Sequence, residues 1–194
     1  MADKIFGFYD SGANNGAIEM IAQKLPDNCT IVELGTFFGR SAICWAEIMR
    51  GLNKPCKIYT LDLFHLKNTD VIAQKANHGL HGIASIWPFV LGECSHFEMV
   101  KRLVESYPEI ELVVSDFYND PADFKDVDCV YYDGWNDPNL DKCINKWLVV
   151  LNENGIYSGQ WYHLFQLAEK TESLNMNLVI PKEDSSVYYL ERRQ

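Results

Sequence analysis

Apolar positions along the chain change period several times, and each change marks an element. Ile18, Ile21, Ala22 and Leu25 recur at helical spacing until Pro26 and Asp27 stop the run. Residues 30–34 form a short apolar strand that carries Glu33 near its end. A helix is predicted over 41–50, closed by Gly51. The strand at 57–62 is apolar except at its ends, as expected where both faces are covered. Over 95–107, Phe97, Val100, Leu103, Val104 and Tyr107 share one side of a helix that Pro108 closes. Strands at 111–115 and 128–132 flank a polar turn at 116–126. The clearest stripe is Leu140, Cys143, Ile144, Trp147, Leu148 and Leu151, an amphipathic helix that residues 152–155 bring to an end. A short strand at 156–158, a helix over 162–174 and strands at 177–180 and 186–190 complete the pattern, the last pair spaced for a hairpin.

Strands alternating with helices predict an α/β protein: a doubly wound, mostly parallel seven-stranded sheet, with an antiparallel strand from the closing hairpin. The 194 residues fit a single domain. Two stretches stand apart. Residues 1–16, rich in glycine and asparagine, read as an N-terminal arm, with a flap over the pocket as the sharper alternative. Residues 63–93 have no clean period and hold His65, His78 and His81, which reads as an insertion serving as a lid or substrate loop.

Composition is that of an ordinary globular chain, 47% hydrophobic and 23% charged. A net charge of −10 counts against a nucleic-acid partner and an anionic membrane. The six cysteines form no Cys-x-x-Cys pair and read as free thiols, several of them buried. No apolar run approaches the length of a membrane span, so a cytoplasmic location is expected. A homodimer is compatible with all of this.

In a doubly wound sheet, ligands bind beyond the carboxyl ends of the strands. Polar residues stand there: Glu33, Asp62, Ser115 with Asp116, Asp133, and residues 158–160. Gly35 and Gly39 bracket a turn between a strand and a helix, whose first N–H groups face the ligand side. Asp62, ending the next strand, is placed to accept hydrogen bonds from both hydroxyls of a ribose. The third glycine of the dinucleotide fingerprint is missing, and Glu33 is an awkward neighbour for a diphosphate. A ligand with a ribose, no phosphate and a positive amino group suits these residues, and S-adenosylmethionine has those parts.

Residues 33–41 (Glu33, Gly35, Thr36, Gly39, Ser41), 58–62, 128–134 and 151–156 together resemble the class I S-adenosylmethionine-dependent methyltransferases, closest to the small-molecule O-methyltransferase-like group. The resemblance implies that Glu33, Gly35, Thr36, Gly39 and Ser41 surround the methionine end. It implies further that Asp62 and Leu63 hold the ribose, that Asp116 and Phe117 meet the adenine, and that Asp133 sits near the sulfonium and the acceptor. The expected reaction is methyl transfer to a small-molecule acceptor at oxygen, with Asp133 and His163 as catalytic residues.

Relatives that use magnesium add carboxylates or amides after the fifth strand, where this chain has Gln160 and Trp161. One aspartate and a glutamine make a poor site for a hard cation, so no metal is expected. His78 and His81 lack identified partners for zinc. Trp135, Trp161 and Tyr162 are candidates for an aromatic acceptor pocket. Two other readings keep the cofactor: a module that binds it without transfer, and an enzyme that breaks it down or transfers another group from it.

Overall fold

The computed structural model describes residues 11–70, 86–118, 123–133, 140–160, 171, 174–181 and 187–193. The elements in order are α1 (Ser11–Lys24), β1 (Cys29–Leu34), α2 (Arg40–Gly51), β2 (Cys56–Asp62), α3 (Trp87–Val90), α4 (His96–Val104), β3 (Ile110–Val114), β4 (Val127–Tyr132), α5 (Leu140–Leu148), β5 (Leu151–Gln160), β6 (Met176–Val179) and β7 (Val187–Arg192).

Seven strands form one sheet in the order β3-β2-β1-β4-β5-β7-β6. β1 is central and pairs in parallel with β2 and β4, which in turn pair in parallel with β3 and β5. β7 runs antiparallel to both β5 and β6. The doubly wound, mostly parallel seven-stranded sheet expected from the sequence is therefore the sheet observed. Chain order reverses beside β1, so the carboxyl ends of β1, β2 and β4 converge on the switch point.

Alternation along β1 sorts side chains between two cores. Ile31 joins Ile18, Ile21, Ile43, Trp45 and Val100 on the face covered by α1, α2 and α4. Its neighbour Val32 faces Val130, Ile144 and Trp147 on the face covered by α5. Lys54 fastens α1 to this scaffold: its ammonium donates to the carbonyls of Ala22, Gln23 and Leu25 at 3.1, 2.8 and 2.6 Å. These carbonyls lie at or just past the end of α1, where a cation also complements the helix dipole. Lys54→Met keeps the stem and removes the three bonds. A loss of about 1–3 kcal/mol is expected in urea unfolding, and an unchanged midpoint would show that water replaces the ammonium.

Three boundaries differ from the sequence reading. α1 begins at Ser11, so it takes in part of the stretch read as an arm. Burial of Ala17, Ile18 and Ile21 outweighs the poor helix propensity there. β5 begins at Leu151 rather than at 156. Val127 pairs with Leu151 and Cys129 with Ile156, so residues 152–155 bulge out within the strand instead of preceding it. A β-carbon on Gly155 would lie 2.9 Å from the Val127 carbonyl oxygen, which is why the bulge needs glycine there. The insertion contains the short helix α3, whose Phe89 and Val90 are buried with Ile86. At the base of the sheet, Asp128 accepts from the Thr30 amide at 2.7 Å and from the Asn152 side chain at 2.6 Å. All six cysteines are free, and Cys29, Cys44, Cys129 and Cys143 are buried. Among the described residues no helix is long and apolar enough to cross a membrane.

Candidate functional site

The turn from β1 into α2 is built by residues that leave the usual backbone regions. Gly35 (φ 98°), Phe37 (φ 47°) and Gly39 (φ 77°) all take left-handed conformations. At Gly39 a side chain would be strained and would also press on Val100 and Val104, each 3.3 Å from a β-carbon there. The Gly35 amide continues the sheet pairing by donating to Leu61 O at 2.9 Å, and Gly39 N donates to Thr36 O at 2.7 Å.

Phe37 has no such freedom and is held from both sides. Its N–H donates to Asp62 Oδ2 at 3.1 Å, and its carbonyl accepts from His96 Nε2–H at 2.6 Å. The His96 ring is buried against Phe38, Phe64 and Phe89. Burial lowers its pKa, the Phe37 carbonyl opposing, so the ring stands neutral with its proton on Nε2. Its Nδ1 has no hydrogen-bond partner among the described residues.

Asp62 anchors the same turn. Oδ2 accepts from the Thr36 and Phe37 amides, both at 3.1 Å, and Oδ1 accepts from the Phe64 amide at 3.0 Å. The residue read as a ribose ligand thus already organises two loops. A carboxylate offers about four lone-pair sites, so acceptor capacity remains chiefly on Oδ1. Leu63, beside it, is 50% exposed, and Val114 at the end of β3 is 64% exposed, giving the rim an apolar edge.

Glu33 is fully buried, at 0% exposure. Strand register sets it beside Thr60, whose hydroxyl donates to Glu33 Oε2 and also pairs with the Thr36 hydroxyl at 2.6 Å. Glu33 Oε1 has no hydrogen-bond partner among the described residues. Burial, then the nearby Asp133 charge, push the Glu33 carboxyl up to about 8, although the Ser41 and Thr60 hydroxyls favour its ionised form. Asp133 follows β4, its amide bonded to Leu34 O at 2.9 Å. Burial pushes its carboxyl up to about 7, against the Ser41 hydroxyl and the Arg40 charge. Glu33, Ser41, Asp62 and Asp133 therefore form one electrostatically linked group at the switch point.

Asp116 and Phe117 lie beyond β3, in a turn pinned to α5. Asp116 Oδ1 accepts from the Tyr118 amide at 3.1 Å, Phe117 O accepts from Trp147 Nε1 at 2.9 Å, and Tyr118 O accepts from Lys146 at 2.7 Å. His163, Trp135, Trp161, Tyr162, His78 and His81 lie outside the described residues. Among the described residues no three His, Cys, Asp or Glu side chains are grouped to hold a metal ion.

Sequence reasoning passed over Thr60 and His96. Thr60 had one usable signal, a hydroxyl in the middle of an apolar strand and two residues before Asp62. His96 had none, because its partner is a backbone carbonyl in a distant turn.

Sheet order and turn together define a Rossmann-like α/β fold. No family model matches the chain, and no curated protein matches its sequence. Solved structures do share the fold. The O-methyltransferase NovP is similar at 12% identity and a TM-score of 0.63, over 93% of this chain and 80% of its own. Precorrin-6y C5,15-methyltransferase from Geobacter metallireducens is similar at 12% identity and a TM-score of 0.62, over 99% and 97%. An rRNA methylase from Streptococcus thermophilus matches at 13% identity and a TM-score of 0.55, over 92% and 95%. The chain has the Rossmann-like fold of these methyltransferases.

Proposed function

We propose that the protein is an S-adenosylmethionine-dependent methyltransferase that methylates a hydroxyl of a small molecule without a metal ion. The observation that carries this reading is Glu33, a fully buried carboxyl with one oxygen left without a partner among the described residues. An unpaired buried polar atom costs on the order of 1–3 kcal/mol, which an ammonium group on a ligand would offset. Gly35, Thr36, Gly39 and Ser41 would surround the methionine end of the ligand together with Glu33. Asp62 would receive a ribose hydroxyl on Oδ1, while Leu63, Val114 and Phe117 would supply apolar surface for the adenine and Asp116 a polar edge.

When bound, the cofactor supplies a methyl group on a sulfonium, open to in-line displacement. Asp133 would take the acceptor's hydroxyl proton as the new oxygen–carbon bond forms, and a carboxyl pushed up to about 7 is matched to that task near neutral pH. His163 is the second candidate for the proton. The named neighbours include an rRNA methylase as well as an O-methyltransferase, so the fold does not select the acceptor. The acidic balance of the chain, −10 overall, is what favours a small molecule.

The second reading, a cofactor-binding protein without transfer, is favoured by Gln160 and Trp161, which stand at the end of β5 and just after it, where carboxylates would be expected. Calorimetric titration with S-adenosylmethionine, followed by methyl-labelled cofactor with a panel of hydroxylated acceptors, separates the two. Binding and label transfer are expected. Binding with neither transfer nor cofactor breakdown would leave only the second reading, and no binding at millimolar ligand would overturn both.

A further inference from the structure

Resting on the methyltransferase reading, we infer that His96 is a positioning residue for the ribose contact: it holds Phe37 and Phe64, and through them fixes the direction of the Asp62 carboxylate. His96 opens α4, where Ser95 caps the helix by accepting from the Glu98 amide at 3.2 Å. His96, Val100 and Val104 fall four residues apart and so share one face of α4. That face lies against the β1–α2 turn. Val100 and Val104 stand 3.3 Å from where a β-carbon on Gly39 would be, and His96 Nε2 donates to the Phe37 carbonyl at 2.6 Å.

Phe37 is the strained residue of that turn. It takes a φ of 47°, which glycine adopts freely and a phenylalanine does not. Its surroundings must impose the conformation, and they grip both of its backbone polar groups, the N–H through Asp62 Oδ2 and the carbonyl through His96. The other oxygen of Asp62 accepts from the Phe64 amide at 3.0 Å, and the Phe64 ring lies 5.4 Å from the His96 ring. Contacts thus close a circuit from His96 through Phe37, Asp62 and Phe64 back to His96. The buried imidazole leaves Nδ1 without a partner among the described residues, a cost that an apolar side chain would avoid. What histidine adds at this place is its Nε2–H on Phe37. With Phe37 released, the Asp62 carboxylate would turn, and a ribose hydroxyl needs Oδ1 in a fixed direction.

Calorimetric titration of the full chain with S-adenosylhomocysteine, and with the same compound lacking its ribose hydroxyls, tests this. The unmodified protein should prefer the hydroxylated compound by about tenfold or more. His96→Leu should cut that preference to about threefold or less, chiefly by weakening the hydroxylated compound. His96→Gln, which keeps an N–H donor, should restore most of it. Equal weakening of both compounds in His96→Leu, with the preference intact, would reduce His96 to a structural role and overturn the inference. Nitrogen NMR of the unmodified protein, labelled at histidine, gives a second readout that needs no folded variant. The His96 proton should sit on Nε2, and its signal should move further with the hydroxylated compound than with the other. A proton on Nδ1, or equal movement, would also overturn the inference. Equal affinity of the unmodified protein for both compounds would sink it and leave the methyltransferase reading standing, whereas binding of neither would sink both.

Discussion

Glu33→Gln is expected to stabilise the ligand-free protein at neutral pH while reducing cofactor affinity by about 100-fold, the cost of losing a buried counter-charge. The carboxyl's ordinary value is 4.5, and burial lifts it to about 8 in the fold. Between those values the folded chain keeps a proton that the unfolded chain has released. Stability contributed by Glu33 is thus full below about pH 4.5 and is lost as pH rises toward 8. Asp133, raised from 3.8 to about 7, acts with the same sign. Together they are expected to lower stability by a few kcal/mol between pH 5 and 8. Glutamine cannot ionise, so the variant should melt at a more nearly constant temperature across that range. Calorimetric scans of both proteins at pH 5, 6.5 and 8 measure the difference. Parallel pH profiles would mean that Glu33 ionises freely inside the fold.

Asp62→Ala should damage folding and binding together, since the side chain holds Thr36, Phe37 and Phe64 through their amides. Partly buried hydrogen bonds to a charged acceptor are worth about 1.5–3 kcal/mol each in favourable cases, and water would replace some of them here. A net loss of about 2–4 kcal/mol follows, which in a chain of this size lowers Tm by roughly 5–15 °C. Cofactor affinity, titrated well below the new Tm, should fall at least tenfold. The two readouts are independent. An unchanged Tm would mean that the turn keeps its shape unaided, and unchanged affinity would remove Asp62 from the ribose position.

Much of this was legible in the chain because sheet and helix periods are local. Ile31 and Val32 face opposite cores as alternation requires, and Glu33 and Asp62 stand out as carboxyls at the ends of apolar runs. Features that depend on register were not legible. Thr60 touches Glu33 only because β1 and β2 pair in step, and His96 meets Phe37 only after α4 docks. Residues 152–155 have strong turn chemistry and bulge accordingly, yet pairing of Leu151 and Ile156 with β4 keeps them inside a strand. Asp62 shows the same limit at the site itself. Its position led to the expectation of a ribose contact, while its three amide partners became visible only with both loops in place.

Asp128 ties the first amide of the central pairing to the bulge of the neighbouring strand, with both bonds under 3 Å. The sheet is therefore riveted at its amino edge like the ribs of a hand fan. The opposite edge is tied in turn by the Gly35 and Asp133 amides and by the Asp62 carboxylate, and it carries Glu33, Asp62 and Asp133. A ligand that bridges those strand ends would act as a clasp, adding its own hold to that side of the fan.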